Sequence, residues 1–134
     1  MRSYSIAVAA FAIQAPVKWT DNLLSQHPVP ELMLSGRGIA RRLPRAAVIR
    51  LAIIRELHTA LGCGVREAVA LAADVLASDR GIVHLGGHLR LELDRDALVR
   101  ATDLRLRDAL ESAPAPRRGR PPKRRTNTTS PRTA

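Results

Sequence analysis

The residues with the clearest chemistry form a basic run near the carboxyl end of the chain, where positions 116–125 read PRRGRPPKRR. Gly119 has no side chain, so the backbone at this position can approach a narrow groove closely. Pro121 and the proline that follows it keep the chain extended and outside any helix. The flanking cations suit phosphate oxygens. The spacing therefore favours binding to a polyanion, and the alternative is a solvated basic tail without a defined partner.

This run resembles the AT-hook, a short peptide family that binds the minor groove of A·T-rich DNA. By that resemblance, Arg118 and Arg120 lie along the groove floor, where A·T tracts concentrate negative potential. The basic residues at 123–125 then contact phosphates. The expected AT-hook residues are Arg117, Arg118, Gly119, Arg120, Pro121, Lys123, Arg124 and Arg125.

Charge is distributed unevenly along the 134 residues, which carry a formal net charge of +10. Residues 114–134 contain seven basic and no acidic side chains, and residues 16–66 contain eight basic and three acidic ones. Residues 67–113 are mildly acidic, with six basic and nine acidic side chains. Two basic modules around an acidic one indicate nucleic acid as the partner, before acidic proteins or a membrane.

Composition limits both the core and the cellular compartment. Apolar residues make up 46% of the chain but aromatic residues only 2%, so Ala, Leu, Val and Ile must build a core of closely packed helices. The single cysteine, Cys63, cannot form an intramolecular disulfide, which fits a reducing cytoplasm. No apolar run is long enough to cross a bilayer. We therefore expect a cytoplasmic protein at the bacterial nucleoid, without a membrane partner.

Periodicity, capping residues and turn residues predict a chain that is mainly α with small β. The predicted helices cover residues 4–14, 16–25, 44–61, 65–77 and 95–112, and the predicted hairpins cover residues 31–43 and 82–93. Helix, short turn, helix, hairpin and longer helix is the order of a winged helix-turn-helix. We expect this domain at 1–78, a hairpin-helix extension and candidate dimerisation unit at 79–113, and a disordered basic tail with the AT-hook at 114–134.

The first of these domains, over about residues 4–77, resembles the MerR-type winged helix-turn-helix. The matching features are the opening Tyr4-Ser5-Ile6, the helix end Asn22-Leu23-Leu24, the wing run at 36–41, the spine Leu51, Ile54 and Leu57, and the exit at 61–68. The family's long dimer helix is replaced here by a hairpin and a single helix, and the metal-binding cysteines of its sensors are absent. The hairpin at 82–93 offers an alternative dimer edge through strand pairing.

The MerR-type resemblance implies two groups of DNA contacts. It places the second helix in the major groove and the wing against the backbone or the minor groove. The groove-facing candidates are Lys18, Trp19 and Asn22, and the candidate phosphate contacts are Arg37, Arg41, Arg42 and Arg45. Two alternatives stay open, because Trp19 could instead anchor the core, and Arg41 and Arg42 could merely solvate a strand edge.

The same residues argue against catalysis and metal chemistry. We find no phosphate loop, paired carboxylates or catalytic-triad spacing, so we expect no enzyme. His84 and His88 flank the Gly-Gly turn at 86–87, but a metal site needs more ligands. We therefore expect no metal, no cofactor and no small-molecule effector.

These observations predict a DNA-binding protein, either a bacterial transcriptional regulator or a nucleoid-type silencer. Its expected partners are double-stranded DNA, with A·T-rich sequence preferred, and a second copy of the chain in a homodimer. The alternative is a protein-interaction module, such as an antitoxin or an adaptor, that holds a partner through the unit at 82–112.

Overall fold

The fold is mainly helical, with two small pairs of antiparallel strands, as predicted. The computed structural model describes residues 2–31 and 41–112. In chain order its elements are β1 (Ser3–Tyr4), α1 (Ile6–Ala12), α2 (Val17–Gln26), β2 (Leu43–Pro44), α3 (Arg45–Leu61), α4 (Val65–Ala77), β3 (Ile82–Leu85), β4 (Leu89–Glu92) and α5 (Arg95–Ser112).

Local signals set most of the helix ends. The Oγ of Ser5 accepts a hydrogen bond from the backbone N–H of Val8 at 3.2 Å and so caps α1. Gly62 ends α3 with φ at 71°, a left-handed conformation that glycine adopts without steric cost. The Oδ1 of Asp94 accepts from the N–H of Ala97 at 3.0 Å and caps α5. The limits predicted for α4 and α5 from sequence are confirmed.

The centre of the core is α3, which is buried along most of its length. Its buried residues are Ala47, Val48, Ile49, Leu51, Ala52, Ile53, Ile54 and Leu57. The helix α4 packs along α3 through Ala68, Ala72 and Val75, all of which are fully buried. Because the side chains at these contacts are small, the two helices can approach closely.

Helix α5 belongs to the same hydrophobic core as α1 and α3. Leu106 is 3% exposed and belongs to the central cluster of buried residues. The fully buried hydroxyl of Thr102 donates to the carbonyl of Leu98 at 2.8 Å, so no polar group is left unsatisfied there. The second half of the helix lies beside the amino end of the described chain, because Leu106, Arg107 and Leu110 line a cleft together with Arg2 and Tyr4.

Only one of the two strand pairs is the pair that the sequence predicted. The hairpin of β3 and β4 is confirmed, with Val83 opposite Leu91 and a turn at 86–88. The second pair joins β1 to β2, with Tyr4 opposite Leu43. Tyr4 was expected at the start of α1, and Glu31, expected in a strand, lies in a turn. Most of the hairpin predicted at 31–43 falls on residues 32–40, outside the described residues.

Candidate nucleic-acid interface

Helices α1 and α2 form a compact pair joined by residues 13–16. Within this connection Gln14 has φ at 59°, in the left-handed region that side-chain-bearing residues seldom adopt. The hydroxyl of Thr20, fully buried, donates to the carbonyl of Pro16 at 3.0 Å and fixes the start of α2. Leu23 and Leu24 are also buried, so one face of α2 is anchored and the opposite face is presented outward.

The outward face of α2 carries two of the three side chains that the sequence assigned to the groove. Lys18 and Asn22 are both exposed and, at a spacing of four residues, lie on the same side of the helix. Asp21 and Ser25 are exposed beside them. This face therefore presents hydrogen-bond donors and acceptors together with one lysine charge.

Trp19, the third side chain of that group, is turned toward α3. The guanidinium carbon of Arg55 lies 4.8 Å from the centre of its ring, and the ring of His58 stacks on it with centroids 5.8 Å apart. Both distances suit attraction between a flat π face and its neighbour. These contacts support the interpretation of Trp19 as a packing residue.

Arg41 and Arg42 reach back from the start of β2 to earlier parts of the chain. One Nη of Arg41 lies 3.3 Å from the Oδ1 of Asp21, and the other donates to the Oγ of Ser25 at 3.2 Å. Arg42 donates to the hydroxyl and the carbonyl oxygen of Ser3, at 3.2 and 2.9 Å. Arg41 thus lies across the outward face of α2 and neutralises its acidic residue.

Arg45, predicted to contact phosphate, has an intramolecular carboxylate partner that the sequence did not indicate. Its Nε and one Nη donate to the two carboxylate oxygens of Asp103 at 2.8 and 2.7 Å. These hydrogen bonds hold the pKa of Asp103 below its ordinary value and raise the pKa of Arg45. The pair joins the first residue of α3 to the middle of α5, so the main role visible for Arg45 is structural.

Together these arginines form a band of positive charge across the molecule, which we call the arginine strip. It consists of Arg41, Arg42 and Arg45 together with Arg2 and Arg107, which line the same cleft as Arg45. The strip begins at the outward face of α2 and passes the β1–β2 pair. It ends in a cleft of about 480 Å³ that Arg2, Arg45 and Arg107 line together with residues of the second half of α5.

The acidic residues beside the arginine strip are mostly paired with it. Asp21 pairs with Arg41 and Asp103 pairs with Arg45, and Glu111 lines the cleft at the far end of the strip. Five arginines against three carboxylates leave the strip net positive. Arg2 and Arg107 were not among the sequence candidates. They lie at opposite ends of the described sequence and come together only in the folded protein, so no local sequence pattern indicates them.

Several sequence candidates lie outside the described residues. They are Arg37 and the whole expected AT-hook, Arg117, Arg118, Gly119, Arg120, Pro121, Lys123, Arg124 and Arg125. Over residues 2–31 and 41–112, no three His, Cys, Asp or Glu side chains are grouped closely enough to hold a metal ion. None of the helices in these two ranges combines the length and the apolar character that crossing a membrane requires.

No protein family, curated protein or solved structure matches this chain.

Proposed function

We propose that the chain is a DNA-binding protein, a bacterial transcriptional regulator or nucleoid-type silencer, that acts as a homodimer in the cytoplasm. A winged helix-turn-helix of MerR-like type inserts α2 into the major groove. An AT-hook at 117–125 binds an A·T-rich minor groove. The observation that carries the proposal is the anchored helix α2, whose exposed Lys18 and Asn22 lie beside the arginine strip.

The pairing of α1 and α2 supports the major-groove half of the proposal. Two helices joined by a turn of three or four residues are the basis of DNA-binding helix-turn-helix motifs, and the second helix reads the bases. Here four residues, including the left-handed Gln14, separate the two helices. Asn can bond an adenine edge with two hydrogen bonds, and Lys can bond guanine or a phosphate, so Asn22 and Lys18 have the chemistry for base contacts.

The arginine strip supports contacts to the phosphates beside that groove. A guanidinium has five N–H donors, so Arg41 and Arg42 keep donors for phosphate after forming their intramolecular bonds. Those bonds to Asp21, Ser25 and Ser3 also restrict the two side chains before DNA arrives. Less conformational entropy is then lost on binding.

The tail supports the minor-groove half. Its seven basic residues in 114–134, with no acidic one, give a large electrostatic contribution to binding by displacing counterions. Because the tail is covalently joined to the folded part, its contact is intramolecular once α2 has bound. Two weak contacts can then combine into much tighter binding.

The tail is tested in the full-length chain with two variants of equal charge. The hook variant carries Arg118→Ala and Arg120→Ala, and the phosphate variant carries Arg124→Ala and Arg125→Ala. Affinity is measured by fluorescence anisotropy for matched A·T-rich and G·C-rich duplexes over a salt series. The hook variant should lose the preference for A·T-rich DNA, while the phosphate variant should weaken on both duplexes alike. Equal behaviour of the two variants would contradict the AT-hook proposal.

The folded part is tested with Arg42→Ala, because within residues 2–31 and 41–112 its side chain bonds to the uncharged Ser3 and to no carboxylate. The matched control is Arg80→Ala, an exposed arginine in the turn between α4 and β3, away from the strip. If Arg42 contacts one phosphate, its loss lowers the slope of log affinity against log salt by about 0.9, and the control leaves the slope unchanged. Equal slopes of log affinity against log salt for the two variants would show that the arginine strip does not contact DNA.

A second candidate function has one specific observation in its favour. At the end of the β3–β4 hairpin, Leu85 faces Leu89 across the strands, and Leu89 is 68% exposed. Leu85 itself is partly buried, so the exposed apolar surface here is that of Leu89, which suits contact with another protein, as in an antitoxin or adaptor. Absence of binding to either duplex by the unaltered chain would favour this function over DNA binding.

A further inference from the structure

The position at which α5 ends determines where the tail leaves the folded part. The second half of α5 lies beside the amino end of the described chain. Leu106, Arg107 and Leu110 line the cleft that also contains Arg2 and Tyr4. Glu111 also lines this cleft, and the last helical residue, Ser112, follows it directly. The last described residue, after which the tail follows in the sequence, therefore lies close to the β1–β2 pair.

A chain of short contacts connects this exit with the outward face of α2. Arg41 touches Asp21 and Ser25 on α2, its neighbour Arg42 touches Ser3 in β1, and Arg45, directly after β2, is paired with Asp103 on α5. α5 thus ends at one end of the arginine strip, and α2 lies at the other end. The folded part places the two proposed DNA-reading elements on opposite sides of one band of positive charge.

The geometry of B-DNA fits this arrangement. A major groove is separated from the next minor groove by one ridge of phosphates. With α2 in the major groove, the arginine strip crosses that ridge and the tail emerges at the neighbouring minor groove. The exit lies on one side of α2 only, so the two sides of the α2 site are not equivalent for the tail.

The number of residues between α5 and the hook limits how far the A·T-rich tract can lie from the end of α5. Six residues lead from Ser112 to Arg118. A fully extended chain covers about 3.3–3.6 Å per residue, so the reach is at most about 20 Å. At about 3.4 Å per base pair, this corresponds to about six base pairs.

We infer that the protein recognises a composite DNA site, in which an A·T-rich minor-groove tract lies on a fixed side of the sequence read by α2. That side is the one beneath the β1–β2 pair, and the tract begins within about six base pairs of the end of the arginine strip. This inference rests on the proposed function and specifies the layout of its DNA. In a homodimer the same relation holds within each half-site.

The first experiment selects binding sites from a random duplex library with the unaltered chain and with the full-length hook variant. Both proteins should enrich the same core sequence. The unaltered chain alone should also enrich an A·T tract, always on the same side of the core and within about six base pairs. Enrichment on both sides of a half-site, or at variable distance, would overturn the inference while leaving the proposed function intact.

The same selection also distinguishes failure of the major-groove proposal from failure of the AT-hook proposal. If no core is shared by the two proteins, the major-groove proposal fails. If the unaltered chain enriches no A·T tract, the AT-hook proposal fails. Either outcome removes the basis of the composite site.

The second experiment changes the length of the tether. Six Gly and Ser residues inserted between Ala113 and Pro114 double the number of residues from Ser112 to Arg118. On duplexes with the A·T tract moved outward in single base-pair steps, the limit should shift from about six to about twelve base pairs. At the original spacing the affinity should fall about threefold, because effective concentration decreases with about the 3/2 power of tether length. An unchanged distance limit would overturn the inference.

Discussion

Replacing Leu106 with alanine tests whether α5 and the helices of the candidate interface unfold as one unit. Leu106 is 3% exposed, and burying alanine instead of leucine usually costs 2–5 kcal/mol. Because Leu106 also lines the cleft beside Arg2, water can fill part of the space left by its side chain. We therefore expect the free energy of unfolding to fall by about 2.5 kcal/mol, near the lower end of this range. For a folded part of this size, the melting temperature should fall by about 10–20 °C.

The assay compares two signals during urea unfolding. Far-ultraviolet circular dichroism reports on all helices, whereas fluorescence reports on Trp19, the only tryptophan, which contacts α3 and is far along the chain from α5. In the Leu106→Ala variant both midpoints should shift together, as expected for a cooperative two-state transition.

The matched control is Leu104→Ala on the same helix. Leu104 is 55% exposed, so its removal should cost less than about 1 kcal/mol. Two results would refute the reasoning. One is a Leu106→Ala variant as stable as the control. The other is a loss of helical signal at a urea concentration where Trp19 fluorescence remains native, which would make α5 a separate unit.

Two further predictions concern the backbone and an ion pair. Gly62→Ala places a side chain at positive φ in open space and should lower the free energy of unfolding, measured in urea, by about 1–2 kcal/mol. Gly81→Ala also places a side chain at positive φ, and its Cβ would lie 2.6 Å from the carbonyl oxygen of Leu93, so its loss of stability should be clearly larger. Equal costs would contradict this. Arg45 lowers the pKa of Asp103 through hydrogen bonds, so their pairing stabilises the fold above the unfolded pKa, about 3.9, and this contribution is lost as pH falls through the lower folded pKa. Asp103→Asn should therefore lower the free energy of unfolding by less than about 1 kcal/mol near neutral pH, because both groups are partly exposed. The difference in stability between the variant and the unaltered chain should vanish in strong acid. A difference that grows in acid would contradict this role of the pair.

Sequence reasoning found the helices because their signals are local. Gly62 and Asp94 mark a helix end and a helix start through their own conformation or side chain, and both act within three residues. The β1–β2 pair was missed for the opposite reason. Tyr4 meets Leu43 across 39 positions, and two strands of two residues each have no periodicity to read.

The same difference between local signals and contacts of distant residues applies to the candidate site. Exposure of Lys18 and Asn22 follows from helical spacing, and the structure agrees. The environment of Trp19 depends on Arg55 and on the neighbouring turn of α3, which lie more than 30 positions away. The pairing of Arg45 with Asp103 spans 58 positions, so neither a motif nor a charge count could indicate it.

The packing of α1 against α5 also bears on how the chain folds during synthesis. The first helix of the fold packs on the last, about 100 residues later. At a translation rate of about 5–20 residues per second, α1 must wait about 5–20 s for its partner to be made. Through that interval its apolar face is covered only by α2 and α3. The pair of α1 and α2, which contains the helix proposed to read DNA, therefore gains its last packing neighbour only after nearly all of the chain up to Ser112 has been made.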